Sequence, residues 1–144
     1  MKKIIVAIIL LITIVGCGSQ AVNNSASQGK EVTFDQLKKD AFGGREERSN
    51  VIIKSEEELK ALYTEMNWND MPDVNFNKWN VVALFMGQMS SGGHGIHVKS
   101  VTVDNGTATV HTIETNPEGG MALAVMTAPY CVVIIPKTEN VIVE

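Results

Sequence analysis

Two cysteines, four prolines and an aromatic share of 6% are what this 144-residue chain holds of the residues that most readily betray a function. Once Cys17 is committed as argued below, Cys131 has no partner, so the mature chain is expected to have no intramolecular disulfide. Basic residues are also scarce, 12 Lys and Arg against 16 Asp and Glu for a net charge of −4. That balance argues against nucleic acid or anionic lipid headgroups as partners, since both need clustered cations. Histidine appears three times. His94 and His97 lie three apart on an expected strand, so their side chains point to opposite faces. No cysteine or carboxylate cluster completes a ligand set, and the reading is no metal and no cofactor. Ser90-Ser91-Gly92-Gly93-His94 is not a G-x-S-x-G elbow, and no lysine and helix follow it as in a phosphate loop. No carboxylate stands where it would orient His94, so no catalytic set is assigned and the chain is read as not an enzyme.

One long apolar run is present, and it sets the location. Lys2 and Lys3 precede Ile4–Val15, and Gly16-Cys17 closes the stretch. A basic start, a short apolar region and a small residue before cysteine form the pattern of a bacterial lipoprotein leader. The run is too short for a bilayer, which needs roughly 20 apolar residues. Residues 1–16 are therefore expected to be removed and Cys17 to carry the lipid, placing the protein on the extracytoplasmic face of a cell membrane. Each buried CH₂ of an acyl chain contributes about 0.8 kcal/mol, so several chains anchor durably. Loss of the leader removes two lysines and takes the net charge from −4 to −6. Residues 17–30, polar and small, read as a flexible tether, leaving 31–144 as a single domain.

Within that domain the patterning is mostly β. Glu31–Leu37 fits a strand or a short helix, Phe42-Gly43-Gly44-Arg45 a turn, and Ser49–Lys54 a strand. Ser55 with Glu58 forms a capping box, and Leu59, Leu62, Tyr63 and Met66 recur at helical spacing, which predicts a helix from Ser55 to Met66. Val81–Met86 and Tyr130–Ile135 are apolar at both parities, so each is expected to be covered on both faces. Asn105-Gly106 predicts a tight hairpin with Asp104 opposite Thr107, Ser100 opposite His111, Val98 opposite Ile113 and His97 opposite Glu114. The apolar positions change parity on both of its arms, which implies a long twisted hairpin burying opposite sides at its two ends. Met121–Thr127 and Asn140–Glu144 read as further strands. The expected fold is α+β: about seven mainly antiparallel strands in a sandwich or half-open barrel, with one principal amphipathic helix.

Two segments carry a family resemblance. Gly87-Gln88-Met89-Ser90-Ser91-Gly92-Gly93-His94-Gly95-Ile96-His97-Val98 resembles the G-x-x-x-T-G-G-Y-x-I-x-V segment of the PrcB C-terminal domain family. Thr127-Ala128-Pro129-Tyr130 through Pro136-Lys137 resembles its T-x-P-Y-x-x-x-x-x-P-K segment. Ser55–Leu59 and Pro72–Phe76 fit the family layout upstream, so the resemblance runs over roughly 48–143. Ser91 stands where the family pattern has threonine and His94 where it has tyrosine. The family takes its name from a lipoprotein accessory subunit of a surface-associated serine protease complex. The resemblance thus implies a non-catalytic domain that binds or stabilises an envelope or secreted protease. Ser91, Gly92, Gly93, His94, Thr127, Pro129 and Tyr130 are the candidate partner-binding residues. The alternatives are a protease-inhibitor-like domain, with loops on a rigid scaffold filling a cleft, and a hydrolase with Ser90 or Ser91 beside a histidine backed by a carboxylate.

Overall fold

The structure is a computed structural model and describes residues 29–119 and 122–144. The expected leader, Cys17 and the tether as far as residue 28 lie outside the described residues. Eight strands and one helix follow in the order β1 (Lys30–Val32), β2 (Asp35–Asp40), β3 (Ser49–Ile53), α1 (Glu56–Glu65), β4 (Trp79–Phe85), β5 (Gly95–Asp104), β6 (Thr107–Thr115), β7 (Tyr130–Pro136) and β8 (Asn140–Val143). They form two four-stranded sheets, ordered β1-β5-β6-β8 and β2-β7-β4-β3. Every pairing is antiparallel except β6 with β8. The result is an α+β sandwich without a closed barrel.

Both-parity apolar strands land where their composition requires. Val82, Leu84, Cys131, Val133 and Ile135 of β4 and β7 face Ile96, Val98, Val101, Ala108 and Val110 of the other sheet. Their alternate residues, Val81, Ala83, Phe85, Tyr130 and Val132, face Leu59, Leu62 and Tyr63 of α1. Sheet, sheet and helix thus make three layers, with β4 and β7 in the middle one. The Cys131 thiol is fully buried and desolvation pushes its pKa up, so it packs as a small hydrophobe. Ser55 caps α1 by accepting from the Glu58 N–H at 3.2 Å. Glu58 returns a bond to the N–H of Lys54 at 2.7 Å, one residue earlier than a standard capping box.

Three expectations need correction. Glu31–Leu37 contains parts of two strands, because the chain leaves β1 and crosses to the other sheet at β2. The hairpin does not bury opposite sides at its ends. Asn105 and Gly106 have φ of 47° and 78°, the tight turn expected, and Ser100 does face His111. Beyond it the register slips at Lys99, so that Val98 faces Thr112, His97 faces Ile113 and Ile96 faces Glu114. This bulge on β5 alone returns Ile96 and Val98 to the inner face, and Ile113 is simply exposed at 37%. Thirdly, residues 122–126 form no strand; only Thr127 makes an isolated bridge, to Met89.

Arg48, just before β3, pairs with Glu114 of β6 and so ties one sheet to the other. The hydrogen bond from Arg48 holds the Glu114 carboxyl below the usual carboxylate range. Its contribution is present at neutral pH and lost as pH falls through that lowered value. Solvent around the exposed Arg48 keeps it below about 1 kcal/mol.

Candidate functional site

The two candidate segments meet. Met89 and Thr127 exchange backbone hydrogen bonds of 2.7 and 2.9 Å, just past the ends of β4 and just before β7. The Thr127 hydroxyl donates to the Ser91 carbonyl at 2.9 Å, and the Gly92 N–H donates to the Leu123 carbonyl at 2.9 Å. The Ser90–Gly95 loop is therefore stitched along the strip that runs from Ala122 to Ala128.

A chain of side-chain bonds fixes the loop from its other side. Ser91 Oγ lies 3.0 Å from His94 Nε2, and His94 Nδ1 lies 2.9 Å from Asn116 Oδ1. With Asn116 Oδ1 as acceptor, Nδ1 carries the ring proton and Nε2 accepts from the Ser91 hydroxyl. Asn116 follows β6 directly, so the bonds join the loop before β5 to the end of its hairpin partner. Gly93 sits on top with φ +86°, a backbone conformation that glycine adopts at no steric cost. A Cβ there would stand 2.9 Å from Pro117 Cβ.

The strip rests on a firm floor. The N–H of Gly44 donates to the Ala128 carbonyl at 2.9 Å, and the Ala128 N–H donates to Ala41 at 3.0 Å. A Cβ on Gly44 would approach the Ala128 carbonyl oxygen to 2.4 Å, so only glycine permits this contact. Below, Tyr130 stacks 4.7 Å from Trp68, which meets Tyr63 edge-on at 5.2 Å. Desolvation raises the Tyr130 phenol pKa, keeping it neutral.

Burial sorts the candidate residues into two groups. Gly93 is exposed, and Ser91, Gly92 and His94 are half-buried, so these loop residues reach the surface. Thr127 and Tyr130 are 3% and 4% exposed and Pro129 is buried, so these three side chains lie beneath the surface that the loop residues reach. What the strip does present is Leu123, Val125 and Met126, exposed by 77%, 39% and 57%. Phe42, 54% exposed, stands in the loop tied to Ala128. A shallow apolar hollow lined by Gly92, Gly93, Pro117, Ala122 and Leu123 connects loop and strip. Sequence reasoning missed Leu123, Val125 and Met126 because their apolar run read as a strand, and it missed Asn116 because nothing local marks it.

The remaining histidines do not join the site. His111 lies 3.2 Å from Thr102 Oγ1 and 3.6 Å from Glu144 on the hairpin, and His97 is half-buried on β5. Among the described residues no group of three or more His, Cys, Asp or Glu gathers as a metal site.

The protein-family model described as PrcB C-terminal matches residues 80–136, the family that the motifs resemble. The match spans β4 to β7 and holds both the Ser90–Gly95 loop and the strip; β3 and α1 lie before it. No curated protein and no solved structure matches the chain.

Proposed function

We propose that this chain is a lipid-anchored, extracytoplasmic, non-catalytic protein-binding module that serves as an accessory or stabilising subunit of an envelope or secreted protease. The observation that carries the binding role is the strip of Leu123, Val125 and Met126, held out to solvent by hydrogen bonds to the Gly-rich loop. Contiguous exposed apolar surface on a rigid scaffold marks an interaction site. The anchor rests on the leader pattern ending at Cys17, and the protease connection rests on the PrcB C-terminal match at 80–136. The domain's acidic charge keeps it off anionic headgroups, so the tether and lipid make the membrane contact.

Cross-linking tests the binding surface. A photoreactive side chain at position 123 of the full chain, in host membranes, is expected to yield one discrete adduct that the same group at Asn105 does not. Equal adducts from both positions would refute the strip as the contact. Identification of a peptidase in the adduct would support the accessory role. Its inhibition on titration with this protein would favour the inhibitor alternative.

The Ser91–His94–Asn116 chain favours a second reading, a serine hydrolase. Its geometry matches a nucleophile–base pair. The third member is an amide and not a carboxylate. A neutral Asn116 orients the ring but cannot offset the charge of the imidazolium formed when His94 takes the serine proton. The module reading therefore predicts that a fluorophosphonate probe leaves Ser91 unmodified, as read by intact mass. Stoichiometric labelling abolished by His94→Ala would establish the hydrolase instead.

A further inference from the structure

Four strands lie at the sheet margins, and three of them are guarded. β1 has three residues and β8 four, too short to template much. β2 carries Asp35, Lys38, Lys39 and Asp40, and its register breaks between Gln36 and Lys38. Short length, charge and bulges are the devices that protect sheet edges from pairing. β3, Ser49–Ile53, has none of them: five residues, no charge and an unbroken register against β4. Among the described residues its backbone pairs with β4 alone. Alternate N–H and C=O groups of such an edge point outward.

A groove runs beside this edge. Val51 and Ile52 of β3 and Ala61 and Leu62 of α1 form its apolar walls, and Glu58 and Glu65 stand at its rim. Its volume of about 300 Å³ is the lower limit for a small-molecule site (roughly 300–1,000 Å³). It suits the alternate side chains of an added strand. Arg45, the one cation lining it, pairs with Glu65 through bonds of 2.9 and 2.8 Å, which leaves Glu58, bonded to the backbone N–H of Lys54, as the acid of the lining that no cation among the described residues offsets. The helix forming the wall carries four glutamates and one lysine.

We infer that the β3 edge and the α1 groove take up an extended segment of a partner protein, one that alternates apolar side chains and carries arginine or lysine, by adding it to the sheet as a fifth strand beside β3. Backbone bonding to the edge supplies affinity and the groove supplies side-chain selection. Charge decides against a second copy of this chain, because two-fold pairing through β3 would bring two acidic α1 helices alongside each other. This surface is separate from the Leu123 strip and lies outside residues 80–136, so it stands or falls independently of the module reading.

The test uses the full chain in nonionic detergent and two fluorescent synthetic peptides. Both alternate valine and threonine; one has terminal arginines and the other terminal glutamates. The arginine peptide is expected to bind, the glutamate peptide about tenfold or more weaker. Ala61→Trp, which fills the groove from an exposed helix position, is expected to weaken the arginine peptide by about tenfold. Amide exchange at Ser49–Ile53 is expected to slow on binding while Asp35–Asp40 stays unchanged. That mapping uses the unaltered protein and decides the matter even if Ala61→Trp fails to fold. Lack of binding, equal affinity for both peptides, undiminished binding by folded Ala61→Trp, or protection at β2 in place of β3 would each overturn the inference. So would a dimer that Ala61→Trp dissociates, since that gives the edge to a second copy.

Discussion

Phe85→Ala is expected to lower the stability of the domain by about 3–5 kcal/mol and its midpoint of thermal unfolding by roughly 10–20 °C. Phe85 is fully buried at the end of β4, paired in register with Ser49 on one side and Tyr130 on the other. Its ring centroid is 6.3 Å from that of Tyr130, and the Arg45 guanidinium lies 4.9 Å over its face. Truncation removes the transfer energy of the ring and leaves a hole. Ala83, two residues back on the same face of β4, and Tyr130, its cross-strand partner on β7, are held by strand hydrogen bonds and cannot collapse into it. A domain of this size has about 5–15 kcal/mol in total, so the variant loses a large part of its margin. Urea and thermal unfolding of the full chain in detergent measure it. A loss below about 1 kcal/mol would mean that the helix layer is not the second half of the core.

Removing the apolar strip is expected to have the largest functional effect. Leu123→Ser with Met126→Ser should cut recovery of the cross-linked or co-purified partner by about 10–100-fold, the range when one or two hot-spot residues are lost. Both side chains are mostly solvent-exposed, so the midpoint of unfolding should move little. Gly93→Trp attacks the same surface by another route. It forces a bulky residue into positive φ against Pro117, so the loop must move away from its place beside the strip. Loss of partner in both variants, with folding retained in the first, places the contact on this face. Full recovery with both would remove the loop and strip from consideration.

Much of the scaffold was legible because its signals are local. Ser55 and Glu58 announce a helix start through bonds spanning only four residues, and Asn105-Gly106 accepts the positive φ of a tight turn. The both-parity runs of β4 and β7 encode a middle layer directly, since each residue of the run needs an apolar neighbour. The failures share a cause, which is that composition does not say what is left to cover it. Ile113 has the composition of a core residue, and placing it in the core implies a hairpin that crosses between sheets, whereas it is 37% exposed. Isolated exposed apolar residues are ordinary, and the slip at Lys99 restores the phase of β5 on its own. Ala122–Met126 has the apolar content of a strand, yet both sheets are complete without it. The Gly-rich loop was legible as a site candidate. Its orienting residue was not, because Asn116 comes from 22 positions beyond His94 and is brought near only by hairpin pairing. The buried Thr127, Pro129 and Tyr130 illustrate a further limit: a motif residue can matter by supporting a surface it never shows.

The most direct measurement is amide hydrogen exchange on the full-length protein, alone and saturated with the partner recovered by cross-linking. Slowed exchange at residues 90–95 and 122–128, with the hairpin turn at 104–107 unchanged, is the result that follows from a docking face built on the Gly-rich loop. Unchanged exchange across both segments, with protection confined to any other part of the domain, would contradict it.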